Sequence, residues 1–330
     1  MPGQIAVLVL AHKPAPLAHL LPLLSPPLDV FVHMDAKSPF DPAGFALPPN
    51  ARWVEPRRAV FWGGFSMVQA TRDLLAAALS AGPDYARFVL ISGDALPLHP
   101  SPQLAARLLA GEAEWINLHQ VEDDPQTRGE PQTATKARLG WEHPGRFHNF
   151  SAWDHVLTNP FTAAETMAAY GVPADAAGRL RGEAMQLAGS ILAHLPPRPR
   201  LFETFYFGSQ WWALSRAMIR DLHDDIFSTA MEDYFRFMEV PDEHFFHCLV
   251  GRRMQAPDGA AFTRTHGPMW VDPQVPPTRE ARLTAAALRQ AAQHTGCLFA
   301  RKYDPAAAPD IAAAIGAGRY FEDVPGFAPA

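Results

Sequence analysis

The sequence predicts an α/β fold, a mostly parallel Rossmann-like sheet flanked by helices. Three observations predict it. Short unbroken apolar runs recur through the first 120 residues, helical stretches separate them, and polar residues follow the runs directly. Unbroken β-branched and aromatic runs suit strands covered on both faces, as in a parallel sheet. A repeated strand–helix–strand order is the mark of such a sheet.

The strands read as Ile5–Ala11, Val30–His33, Phe88–Ser92 and Trp115–Leu118, with a further one at Arg52–Val54. Helices read as Leu17–Leu24, Ser66–Ala81 and Pro102–Leu109. In the second, Met67, Ala70, Leu74, Leu75 and Ala78 repeat at helical spacing and form the buried stripe. Asp123–Arg146 reads as a polar loop, and helices follow at Thr162–Tyr170 and Ala174–Ala193. Phe205–Leu214 and Ala217–Asp221 read as strand, turn and helix start, and another helix begins near Pro241. The organisation expected is one domain over residues 1–304, with a nucleotide-binding half (1–120) and an acceptor and catalytic half (121–304). A C-terminal tail (305–330) follows.

Composition narrows the function. The chain has 330 residues, 48% of them hydrophobic, and a net charge of −6 without a dense basic run, so no nucleic-acid partner is expected. Four of the basic residues are lysines (Lys13, Lys37, Lys136, Lys302), and Ala and Pro are abundant, a composition that suits a GC-rich bacterial genome. Two cysteines, Cys248 and Cys297, exclude a disulfide scaffold and lack zinc-site spacing. No signal peptide or membrane-spanning run is read, so a cytoplasmic location is expected, with peripheral contact at the inner membrane left open.

Ligands of such sheets bind beyond the carboxyl ends of the strands. His12–Lys13, Asp35–Lys37 and Gly93–Asp94 should therefore converge on one crevice. In Phe61-Trp62-Gly63-Gly64-Phe65-Ser66, two glycines permit close backbone approach and Ser66 could cap the next helix. The spacing is not that of a P-loop. Pro241 suits a first helical position, which sets Asp242 and Glu243 in a first turn whose free N–H groups would keep Glu243 ionised. Such a carboxylate can take a proton from an attacking hydroxyl, and His247, one turn on, could orient it. Arg301 and Lys302 are adjacent cations able to stabilise a diphosphate leaving group without a metal.

Taken together, seven stretches resemble the core-2/I-branching β-1,6-N-acetylglucosaminyltransferase family, which includes peptide O-xylosyltransferases. They are Val9–Lys13, Val32–Ser38, Trp62–Ser66, Ser92–Leu98, Gly208–Leu214, Pro241–Phe246 and Phe299–Tyr303, in the family's order. The resemblance implies a GT-A type fold, a UDP-sugar donor, a saccharide or other hydroxyl acceptor, inversion, and no metal cofactor. It makes Glu243 the catalytic base and Arg301 and Lys302 the diphosphate-binding cations. His12, Asp35, Trp62 and Gly63 fall to the nucleotide, and Asp94, Gly208, Ser209 and Trp211 to the sugar and acceptor pocket. The donor favoured is UDP-N-acetylglucosamine, with UDP-xylose as the alternative. The sequence departs from the family at one place. The usual aspartate two places before the proline is Ala95 here, and the acid is Asp94. Two readings of other classes remain open: a metal-dependent hydrolase using His244, His247 or the acidic run Glu122–Asp124, and a non-catalytic sugar-nucleotide-binding protein.

Overall fold

The computed structural model describes residues 4–61, 63–82, 84–120, 201–236, 240–259, 262–271, 282–293 and 296–324. The first half runs β1 (Ile5–Ala11), α1 (Pro14–Leu20), β2 (Leu28–Met34), β3 (Ala51–Trp53), α2 (Phe65–Ser80), β4 (Arg87–Ser92), β5 (Leu96–Pro97), α3 (Ser101–Leu109), β6 (Glu114–Trp115) and β7 (His119–Gln120). The second half runs β8 (Tyr206–Phe207), β9 (Ala213–Ser215), α4 (Arg216–Ile226), α5 (Thr229–Phe235), a 3-10 turn (Pro241–Glu243), α6 (Phe245–Gln255), β10 (Arg264–Thr265), β11 (Met269–Val271), α7 (Ala285–Gln293), β12 (Phe299–Arg301), α8 (Pro309–Gly316) and α9 (Tyr320–Asp323).

Seven strands form the central sheet in the order β10-β6-β9-β4-β1-β2-β3. β1 lies parallel between β2 and β4, with Val7 opposite Val30 and Val89, and β9 is antiparallel to both β4 and β6. The unbroken apolar run of β1 has its reason in the packing of both faces. Ala6, Leu8 and Leu10 join a core with Phe65 and Leu74 of α2, Met218 of α4 and Phe245 of α6. Ile5, Val7 and Val9 join a second core with Leu17 and Leu20 of α1 and Leu104 and Leu108 of α3. Fully burying one such side chain contributes about 1.5–3 kcal/mol, so a polar residue in β1 would be costly.

Several local expectations change. The Trp115–Leu118 strand shrinks to β6, and His119–Gln120 turns away to pair with β8. The Phe205–Leu214 strand is two short pieces, β8 and β9, joined by residues 208–212. The first helix starts at Pro14, with its last turn, Leu21–Leu23, tightened to 3-10. In α2, Met67 is half-buried, while Val68 and Thr71 belong to the inner stripe. Gly64 is the N-cap of α2, and the Ser66 hydroxyl instead accepts from the Phe61 N–H at 2.9 Å. The segments 123–146, 162–170 and 174–193 lie outside the described residues.

A second sheet, β11-β12-β5, is decisive for the site. β12 is antiparallel to β5, with Phe299 opposite Pro97 and Ala300 opposite Leu96. This sheet packs with α7, α8 and α9 in a third core that includes Leu96, Trp270, Leu288, Ala300, Tyr303, Ile311 and Tyr320. The Tyr320 hydroxyl donates to the Pro97 carbonyl at 3.0 Å, which fastens the last helix to β5. Among the described residues no helix is long and apolar enough to cross a membrane.

Candidate active site

The carboxyl ends of β1, β2 and β4 meet at one edge of the central sheet because the three strands are parallel and in register. Their following residues are drawn together by backbone hydrogen bonds. Asp35 N–H donates to the Ala11 carbonyl at 2.8 Å, and Gly93 N–H donates to the Leu10 carbonyl at 2.7 Å. Gly93 admits no side chain, since a Cβ there would lie 2.7 Å from the Ala11 Cβ and 2.9 Å from the Ala11 Cα. The expected convergence of the His12, Asp35 and Asp94 segments is therefore present.

Pairing of β12 with β5 delivers Arg301 to the same edge. Its Nε lies 3.3 Å from Asp94 Oδ1, and its guanidinium lies over the Trp211 ring, 4.8 Å from the centroid. Among the described residues, the Nη groups donate to no protein atom. Lys302, half-buried beside it, offers its backbone carbonyl to the Leu283 N–H at 2.8 Å. Tyr303 N–H donates to the Asp94 carbonyl at 2.7 Å, so this strand end is tied to the end of β4 by backbone as well as side chain.

The charges at this edge respond to one another. Burial alone would raise the Asp94 carboxyl. Arg301, the Ser92 hydroxyl bonded to Oδ1, and His12 outweigh burial and hold Asp94 below the usual carboxylate range. The His12 ring is open to solvent on one side but enclosed on the others. That enclosure lowers its pKa below the ordinary value, against the pull of Asp94 and with help from Lys13 and Arg301. His12 is therefore neutral at pH 7, a hydrogen-bonding group and not a cation.

Asp35 is more committed to its own loop than its strand-end position suggested. Oδ1 accepts from the N–H groups of Lys37 (2.9 Å) and Val60 (3.2 Å), and Oδ2 accepts from Lys37 Nζ at 2.8 Å. Lys37 Nζ also donates to the Val60 carbonyl and lies over the Phe61 ring. Asp35 thus organises the segment leading to Gly63. Trp62 lies outside the described residues.

Glu243 is half-buried. It belongs to a 3-10 turn of its own, and α6 starts only at Phe245, which corrects the expected helical first turn. The N–H groups of Glu243 and His244 are used inside the turn, to the carbonyls of Val240 (2.9 Å) and Pro241 (3.1 Å). The N–H groups of Glu243 and His244 are therefore not free, contrary to what the sequence suggested. What holds Glu243 is the neighbouring backbone. Gly208 N–H donates to its carbonyl at 3.0 Å, and Val240 N–H donates to the Gly63 carbonyl at 3.1 Å. Val240 has a φ of 45°, a left-handed conformation that a β-branched side chain rarely adopts. Backbone strain of this kind concentrates where function fixes geometry.

His247 does not orient Glu243. Its Nε2 is bonded to the Ser209 carbonyl at 3.0 Å, and Nδ1 has no partner among the described residues. Burial pushes its pKa down to about 3, so it is a neutral core histidine. His244 likewise falls to about 4 through burial, with Nδ1 3.3 Å from the Tyr206 carbonyl. Neither ring is arranged with acidic side chains as a metal site. Among the described residues no group of three or more His, Cys, Asp or Glu side chains could hold a metal ion. Glu122–Asp124 lie outside them.

The loop of residues 208–212 bridges the two halves of the site. Gly208 touches Glu243 at one end, and Trp211 supports Arg301 at the other. Three residues span at most about 11 Å of backbone, so the two contacts of this loop lie on one short stretch of chain. Asn117, which the sequence reading missed, locks this loop. Its Oδ1 accepts from the Gly267 N–H, and a Cβ on Gly208 would fall 2.0 Å from its carbonyl oxygen. No motif marks Asn117; its role comes from tertiary approach alone.

Residues 5–138 match the family model described as Core-2/I-Branching enzyme. That match covers about two fifths of the chain and supports the core-2/I-branching resemblance there. That family is one of glycosyltransferases, and the protein is a glycosyltransferase with a sugar-nucleotide donor and an acceptor. The mostly parallel seven-stranded sheet with helices on both faces is the GT-A-like fold that the core-2/I-branching resemblance implied. No curated protein matches the chain. The core-2/I-branching match takes in the ends of β1, β2 and β4, including His12, Asp35 and Asp94. Glu243, Arg301 and Lys302 lie beyond it, and the match does not bear on the roles that the resemblance implies for them.

Proposed function

We propose that this protein is an inverting, metal-independent transferase that moves a sugar from a UDP-sugar to a hydroxyl group of a saccharide or other acceptor. N-acetylglucosamine is the favoured sugar and xylose the second. The observation that carries the reading is Arg301 at the carboxyl edge of the parallel strands, with its Nη edge unbonded among the described residues. A guanidinium edge of this kind suits two phosphate oxygens at once. Lys302 adds a second positive charge beside it.

The chemistry of this reading is a single displacement. The acceptor oxygen attacks the anomeric carbon from the side opposite the diphosphate, so a new C–O bond forms as the bond to the phosphate oxygen breaks. One displacement inverts the anomeric carbon. Glu243 takes the proton of the attacking hydroxyl, and Arg301 and Lys302 stabilise the charge that gathers on the departing UDP. A positioned base contributes about 10²–10⁴-fold, and fixed charge at the leaving group about as much or more.

The test is a thermal-shift panel of nucleotide sugars in the presence of EDTA. A ligand at 100 times its Kd stabilises by about 2.7 kcal/mol, enough to read as a shift in Tm. The reading expects UDP and one UDP-sugar to raise Tm in EDTA, and UDP release to continue when acceptor is added. A strict need for manganese or magnesium would reject metal independence. Binding without any UDP release over an acceptor panel would favour a non-catalytic binding protein.

A further inference from the structure

The carboxylate that departs from the family pattern has a partner. Asp94 Oδ1 faces Arg301 Nε across 207 positions of sequence, and the Ser92 hydroxyl donates to the same oxygen. Asp94 is buried, and its backbone carbonyl is held by Tyr303 N–H, so the carboxylate has little freedom to move. On the other side, the Trp211 ring supports the flat face of the guanidinium. Trp211 is itself buried and sits in the loop that Gly208 and Asn117 fix. The guanidinium is thus gripped at one edge and one face, while its Nη edge is left for a ligand.

From this arrangement we infer that Asp94 is a positioning residue for the sugar-nucleotide reaction, acting with Trp211 to aim Arg301 at the diphosphate. The inference rests on the reading of Arg301 given above. A free arginine side chain loses considerable rotamer entropy when it binds an anion. Here that ordering is completed before the ligand arrives, which raises affinity without a new contact. The opposite role is also chemically defined. A carboxylate beside a cation could compete with the diphosphate for it, and then removing Asp94 would strengthen binding. The contact through Nε alone argues for positioning, because a competitor would take the Nη edge that phosphate needs.

Titrations of UDP, UMP and uridine against the whole protein separate these roles. Arg301→Ala tests the underlying reading, and should weaken UDP while leaving uridine unchanged. Asp94→Ala should weaken UDP by about tenfold, the cost of ordering one long side chain on binding, with uridine again unchanged. Asp94→Asn keeps an oxygen that can accept from Nε and should restore most of the UDP affinity. A purely structural defect would lower all three ligands together, and would not be rescued by Asn. In the Arg301→Ala background, Asp94→Ala should have no further effect on UDP. If Asp94→Ala does not fold, Asp94→Ser keeps the crevice polar without reaching Arg301 and carries the same expectation. Tighter UDP binding in the Ala, Ser or Asn variants would overturn positioning in favour of competition. Unchanged UDP binding in Asp94→Ala, with Arg301→Ala weakened, would overturn this inference alone. No loss in Arg301→Ala would overturn both it and the diphosphate role.

Discussion

Gly208 donates its backbone N–H to the Glu243 carbonyl at 3.0 Å, which couples the loop after β8 to the turn that carries the candidate base. The position tolerates only glycine. A Cβ would lie 2.0 Å from the Asn117 carbonyl oxygen and 2.9 Å from His247 Cδ2. The first is backbone and cannot swing aside. Gly208→Ala should therefore cost about 1–3 kcal/mol, the usual range for overpacking. Turnover should fall as well, since the loop that fixes Glu243 must shift. Differential scanning fluorimetry with a UDP-release assay checks both, and an unchanged Tm would show that the loop yields more easily than its contacts imply.

Glu243→Gln should lower turnover by roughly 10²-fold or more, the low end of what a positioned base supplies. UDP affinity should hold, because Arg301 and Lys302, not Glu243, are the candidate diphosphate partners. Lost turnover with retained binding marks a group acting in the transition state. Near-parental transfer by the Gln variant would remove Glu243 from the mechanism.

Arg301→Ala and Lys302→Ala should each weaken UDP binding by about 1.5–3 kcal/mol, as expected for one charge-assisted contact to phosphate. Isothermal titration reads this directly. The arginine variant should lose more, because its guanidinium is already held by Trp211 and Asp94. Equal affinity in both variants and the parent would leave the pair as surface charge.

Asp242 gives stability a pH dependence of known sign. Burial raises its carboxyl to about 7, and Oδ1 has no hydrogen-bond partner among the described residues. A raised folded pKa means that the folded state holds a proton which the unfolded chain has released. Its contribution is fully present below about pH 4, the ordinary aspartate value, and is lost as pH rises to about 7. Asp242→Asn removes that loss. The Tm of the variant relative to the parent should thus climb between about pH 4 and 7 and level off above. A gap that stays flat across this range would return Asp242 to an ordinary carboxylate.

The parallel half of the fold was legible because its signals are local. β1 has the bounds its apolar run announced, and β2, β4 and α2 differ by one or two residues at their ends. The polar residues after the strands met as strand order requires. Beyond residue 200 the same reasoning weakened. Residues 205–214 read as one strand, yet the backbone breaks at Gly208 because Asn117 and His247 close upon it, which no spacing reveals. His247 stood one helical turn from Glu243, but a deeply buried ring seeks the nearest carbonyl and found Ser209. The Pro241 signal marked a turn correctly and its type wrongly, since Val240 enters it from the left-handed region. Asp94 looked displaced in the sequence. Its meaning came only from β12, whose pairing with β5 places Arg301 opposite.

That long-range pairing has a consequence for synthesis. At about 5–20 residues per second, roughly 10–40 s separate the making of Asp94 from the making of Arg301. Throughout that interval the parallel strands can pack on α1, α2 and α3, but their carboxyl edge holds Asp94 without its cation. Until residue 301 is made, a nascent chain cannot offer a nucleotide the candidate Arg301 grip, although the Glu243 segment is made before it. The closing of the small sheet, which sets Arg301 beside Asp94, is therefore the last step in completing this edge of the fold.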